Sequence, residues 1–126
     1  MFEVVKSRLV PSKGPISGVV RNGPFVMTAQ IPKDPDTGAI VEGDIAVQTR
    51  RTLDNLALAM EGAGGALRDV MMIQVYLVDG ADAPEMNRVW RETFQEPFPC
   101  RATVVVKELL APGMRIEIIA TAMVGA

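Results

Sequence analysis

The chain is 126 residues long, with 48% hydrophobic and 22% charged residues, which excludes disordered and collagen-like classes and suits one domain with a packed core. Thirteen Lys and Arg against 15 Asp and Glu leave a net charge of −2, with no basic surplus to neutralise a phosphate backbone, so nucleic acid is not an expected partner. With no histidine and Cys100 as the one cysteine, Ser-His-Asp and Cys-His nucleophile systems, histidine metal sites, two-histidine ribonuclease chemistry and internal disulfides are all excluded.

Residues 1–8 hold no apolar signal core, and no run approaches the roughly 18 apolar residues of a membrane span. A soluble, cytoplasmic protein without a membrane partner is the expectation. Residues 2–5 are a candidate extra strand. Residues 17–20 and 25–31 are apolar stretches around Arg21-Asn22-Gly23-Pro24, a turn signal that predicts a β-hairpin. Residues 32–38 form a polar, proline-broken loop of the kind that often rims a site.

From Asp44 onward Ile45, Thr49, Leu53, Leu56 and Met60 recur at helical spacing, with Arg50, Arg51, Asp54, Asn55 and Glu61 elsewhere on the wheel. The pattern predicts an amphipathic helix of about 18 residues. Asp44 supplies the N-cap and Gly62 or Gly64 a left-handed C-cap. Because Gly62-Ala63-Gly64-Gly65 follows this helix, it reads as a terminator and not as a dinucleotide loop, and no phosphate-binding G-x-x-x-x-G-K-[ST] loop is present. Residues 70–78 are nearly apolar on both faces, as in a central strand covered on each side. Asp82-Ala83-Pro84-Glu85 has the pattern of a capping box opening a second helix that turns Met86, Val89, Trp90 and Phe94 inward, with Trp90 read as core.

Two strands around Thr103 and Ile118 close the chain, joined through Leu110-Ala111-Pro112-Gly113 and expected to pair as a hairpin. The order ββ-α-β-α-ββ gives an α+β fold, a mixed sheet with two helices packed on one face. The apolar opposite face then predicts oligomerisation.

The chemistry-bearing residues stand on the last strands. Arg101 offers a planar fork for a carboxylate, and Glu117, inside an apolar strand, is a candidate proton-transfer group. The plainer alternatives are a strand-end arginine paired with a surface acid, and an edge glutamate paired with Arg115. Cys100 reads as a small buried residue rather than a reactive thiolate.

The run Gln30-Ile31-Pro32 with residues 34–38, then residues 48–56, then Pro99-Cys100-Arg101 and Ile116-Glu117-Ile118, resembles the RidA/YjgF family over nearly the whole chain. The resemblance implies a chorismate-mutase-like fold, a homotrimer with clefts between subunits, and cofactor-free hydrolysis of small carboxylate-bearing enamines and imines, such as 2-aminoacrylate, to a keto acid and ammonia. By that resemblance Arg101 holds the substrate carboxylate and Glu117 is the acid associated with water activation. Asn87 and Thr28 match positions near the pocket. Ile16 stands where many members have tyrosine, and Thr103 where a cysteine is frequent, so the pocket wall differs and a larger enamine such as 2-aminomuconate is a rival substrate. A non-catalytic ligand-binding module is the rival from another class. The family's ribonuclease label is disfavoured by the acidic balance and the missing histidine. On a terminal hairpin, Arg101 and Glu117 would lie about four residues apart, some 13 Å. That spacing predicts a composite pocket in which the two meet across a subunit boundary.

Overall fold

Gly23, at φ 57°, takes the left-handed turn that lets β2 (Val19–Asn22) fold back on β3 (Phe25–Gln30), so the first hairpin forms where the turn residues place it. The computed structural model describes residues 1–125. A two-residue β1 (Glu3–Val4) adds to the edge of β2. Helix α1 (Ile45–Gly62) follows, then β4 (Val70–Leu77), α2 (Ala83–Thr93), β5 (Cys100–Val105) and β6 (Ile116–Met123). The six strands make one mixed sheet in the order β1-β2-β3-β6-β4-β5.

Helix α1 begins and ends as its sequence requires. The Asp44 carboxylate accepts from the Val47 N–H, and Gly64, at φ 83°, reverses the chain. Gly65 N–H then reaches the Met60 carbonyl at 2.8 Å and Gly64 N–H the Glu61 carbonyl at 3.0 Å, the paired bonds of a Schellman cap. Asn55, placed off the apolar stripe by its wheel position, is instead fully buried, and its amide donates to the carbonyls of Ile31 and Lys33. That anchor ties the 32–38 loop to α1, while Asp34 closes the loop by accepting from the N–H groups of Asp36 and Thr37.

Helix α2 starts where expected but not by the expected device. Asp82 has helical backbone angles and caps nothing; its carboxylate holds Arg115 through two bonds, 3.0 Å to Nε and 2.8 Å to Nη2. An ionised guanidinium is a stronger competitor for that carboxylate than a backbone N–H. The capping role falls to Asp79, which accepts from Ala81 at the head of a short 3-10 turn, Gly80–Asp82.

The terminal hairpin does not form. Strand β4 lies between β5 and β6, parallel to β5 and antiparallel to β6, and β6 also pairs with β3. Helix α2 supplies the crossover that a parallel β4–β5 pair needs, and the long connection over residues 106–115 lets β6 skip past β4. Both helices cover one face of the sheet. Leu53, Leu56 and Met60 of α1 and Met86 and Trp90 of α2 pack there on Val26, Ile73, Val75, Ile118 and Ala120. On the other face Phe25, Met27, Met71 and Met123 are each between 41% and 48% exposed, so β4 is apolar on both sides yet covered on only one within the chain.

Candidate functional site

Helix α2 and the segment entering β5 build a cleft of about 360 Å³, lined by Asn87, Trp90, Arg91, Phe98, Pro99 and Arg101. Asn87, Trp90 and Arg91 share one stripe of α2 by their i, i+3, i+4 spacing, and that stripe faces the start of β5. Register sets Arg101 opposite Ile73, a core residue of β4, so the arginine points to the helix layer. Its guanidinium lies 4.7 Å from the Trp90 ring centroid, a cation–π contact, and Trp90 is backed by Phe94 at 5.1 Å. Trp90 is thus both core, at 4% exposure, and platform for Arg101.

Among the described residues Arg101 has no carboxylate partner. Burial first, and then the Arg91 charge, hold its pKa below the ordinary arginine value, though a guanidinium stays charged in any protein. A half-buried cation without an anion is poised to take one from a ligand. The reading of Arg101 as one half of a surface ion pair is therefore wrong for this chain.

Glu117 registers with Tyr76 and alternates with the core residues Ile116 and Ile118, which places it on the open face of the sheet. Burial pushes its carboxyl pKa above the ordinary value. Arg115 does not pair with it, being held by Asp82. Within one chain Arg101 and Glu117 are two strands and three residues apart, about 14 Å, on opposite faces of the sheet.

The other sequence-derived positions divide. Asn87 joins Arg101 in the cleft. Thr103 sits two residues along β5 on the same face, exposed. Thr28 lies in the same cross-sheet row as Arg101 but three strands away, about 14 Å, and is 5% exposed. Its hydroxyl donates to the Gly18 carbonyl at 2.6 Å and accepts from the Gln30 amide at 2.8 Å. Ile16 is 70% exposed and lines no part of this cleft, nor does the 32–38 loop. Cys100, expected to be buried, is exposed, because its place in β5 turns it to the open face. Arg91 and Phe98 complete the cleft without having been marked by any motif; the 87, 90, 91 spacing was the available signal. Among the described residues no three Cys, Asp or Glu side chains converge as a metal site, and no helix is long and apolar enough to cross a membrane.

Comparison with known proteins places this geometry. A profile of the family described as endoribonuclease L-PSP matches residues 6–124. A RutC family protein of Pyrococcus abyssi is 43% identical over 109 residues, covering 85% of this chain and 86% of that one. A 2-iminobutanoate/2-iminopropanoate deaminase of Dermatophagoides farinae is 32% identical over 117 residues, 91% of each chain. The crystal structure of RidA from an Antarctic Psychrobacter superposes with a TM-score of 0.89 at 31% identity, over 97% of this chain and 99% of that one. The sheet order, the helix pair on one face and the sequence from Lys6 to Val124 thus agree: the chain belongs to the endoribonuclease L-PSP family, the group of RidA/YjgF and RutC proteins.

Proposed function

We propose that this protein is a cofactor-independent deaminase that hydrolyses small carboxylate-bearing imines and enamines to a 2-keto acid and ammonia. The observation that carries the reading is the unpaired Arg101 guanidinium, fixed over Trp90 on the wall of an open cleft. A planar fork held by a ring loses little freedom when a carboxylate docks on it. The deaminase name of the mite relative supports the reaction class.

The chemistry needs three things: an anchored carboxylate, a positioned water and a group that exchanges protons. For 2-aminoacrylate, protonation at the methylene carbon gives the imine. Water then adds to the imine carbon, a proton passes to nitrogen, and the C–N bond breaks to release ammonia and the keto acid. Glu117 suits the proton role, since a carboxyl raised by burial both gives and takes a proton near neutral pH more readily than an ordinary one.

One chain cannot bring Arg101 and Glu117 to the same small molecule across a sheet. The site is therefore composite, with Glu117 supplied by a neighbouring copy in a homotrimer. Support for assembly comes from the open sheet face, where Phe25, Met27, Met71 and Met123 are exposed and Ile119 and Tyr76 are half-buried.

The test is a coupled assay. A serine dehydratase generates 2-aminoacrylate, and keto-acid release is followed with the wild type, with Arg101→Ala and with no added protein. Acceleration by the wild type and a loss of about 100-fold in kcat/KM for Arg101→Ala are expected, the value of a charge-assisted anchor. No acceleration by the wild type would reject the deaminase reading and favour a non-catalytic ligand-binding module.

A further inference from the structure

The Arg101 cleft carries two guanidiniums and no carboxylate on its lining. One fork suffices for a monocarboxylic substrate, so Arg91 calls for its own explanation. Of the other helix arginines, Arg88 bonds Glu85 and Glu92, Arg50 bonds Glu92, and Arg51 donates to the side-chain carbonyl of Asn55. Arg91, one residue past Trp90 on the cleft stripe, takes part in no ion pair among the described residues. Its charge is felt at Arg101, where it adds to burial in lowering that group's pKa. Two like charges left facing one cavity repel, and a ligand with two anionic groups relieves both.

We infer that Arg91 is a specificity residue for a second anionic group, so that the preferred substrates are imino or enamino acids carrying two carboxylates. Arg101 holds the carboxylate beside the imine carbon, and Arg91, at the exposed rim, holds the distal one. As a statement about substrates this rests on the deaminase reading; as a statement about binding it does not.

Trp90 is the only tryptophan and lies under Arg101, so its fluorescence reports occupancy of the cleft without any need for turnover. The assembled full-length protein is titrated with 2-oxobutanoate and with 2-oxoglutarate, which differ in the distal carboxylate. Wild type is expected to bind 2-oxoglutarate about tenfold more tightly, the size of one added charge-assisted contact, and Arg91→Gln to lose that preference while its affinity for 2-oxobutanoate changes less than about threefold. Equal affinity of wild type for both acids would overturn the inference. So would an equal loss for both in Arg91→Gln, which would mark Arg91 as a general attracting charge.

Turnover is then measured on the imines that an amino-acid oxidase makes from 2-aminobutanoate and from glutamate. If neither imine is hydrolysed faster while 2-oxoglutarate keeps its tenfold advantage, the deaminase reading falls and the second-anion site stands. If only the monocarboxylic imine is hydrolysed and the two keto acids bind alike, the deaminase reading stands and the role of Arg91 falls.

Discussion

Gln48 gives the sharpest test of how the fold holds the strand that carries Glu117. Its side chain is fully buried in α1, and its amide donates to the carbonyls of Val41 at 3.1 Å and Gly113 at 2.8 Å. Its own carbonyl accepts from the Arg115 N–H at 2.7 Å, two residues before Glu117. Gln48→Met keeps a chain of similar length and flexibility in the same space, so little cavity is created, but all three bonds are lost. At about 1 kcal/mol net per bond the loss is about 3 kcal/mol. An unfolding entropy of about 2.1 cal/mol/K per residue over 126 residues converts this to a fall in Tm of about 11 °C. Far-UV circular dichroism during thermal unfolding, at one fixed protein concentration, measures it. A shift of less than about 2 °C would show that water satisfies the three backbone groups and that Gln48 is not what fixes the entry to β6.

Three further outcomes are expected. Gly62→Ala adds a Cβ 2.5 Å from the Lys6 carbonyl oxygen and 2.8 Å from Ser7 Cβ, so it should lower Tm despite a helix-propensity gain of about 1 kcal/mol; a raised Tm would contradict the packing of the N-terminal segment on α1. Met27→Lys places a charge on the open sheet face, where Met27 is 47% exposed. It should dissociate the assembly with secondary structure retained, and sedimentation showing wild type already monomeric would remove the composite site. The third concerns pH. In an Arg101→Gln background burial alone acts on Glu117, so its folded pKa lies above the ordinary 4.5. Its contribution to stability is then intact below that value and lost as pH rises through the raised one. Adding Glu117→Gln removes that loss, so the double variant should match the single variant in Tm at about pH 4 and exceed it at about pH 7. A difference that does not grow with pH would refute the desolvation of Glu117.

The features legible in the sequence are those fixed by near neighbours. Asp44 and the glycines at 62 and 64 announce both ends of α1, with Gly64 the one that takes the left-handed turn, and Gly23 announces the first hairpin, because a cap or a tight turn is decided within a few residues. Alternation in β6 marks its two faces, and hence the side on which Glu117 stands. Strand neighbours are different. Nothing local says that β4 inserts between β5 and β6, since adjacency across a sheet is decided by which apolar strands best share a core. The same holds for polar partners. Asp82 has the spacing of a capping box, and only the fold brings Arg115 close enough to claim its carboxylate. Asn55 looks like a surface residue of an amphipathic helix, yet it and Gln48 are both buried to hold loop backbone. In the candidate site, Arg101 could be chosen by residue type, whereas its lack of an acid partner and its seat on Trp90 exist only in three dimensions.

In the proposed site two copies act together, with Arg101 from one and Glu117 from the other. The most direct measurement mixes Arg101→Ala and Glu117→Gln subunits, unfolds and refolds them together, and assays imine hydrolysis against each variant alone. Random reassembly across a head-to-tail boundary restores both groups to about a quarter of the sites, so activity should rise from near background to about a quarter of wild type. A mixture no more active than the two variants measured separately would place both groups in one chain's site and contradict the composite arrangement.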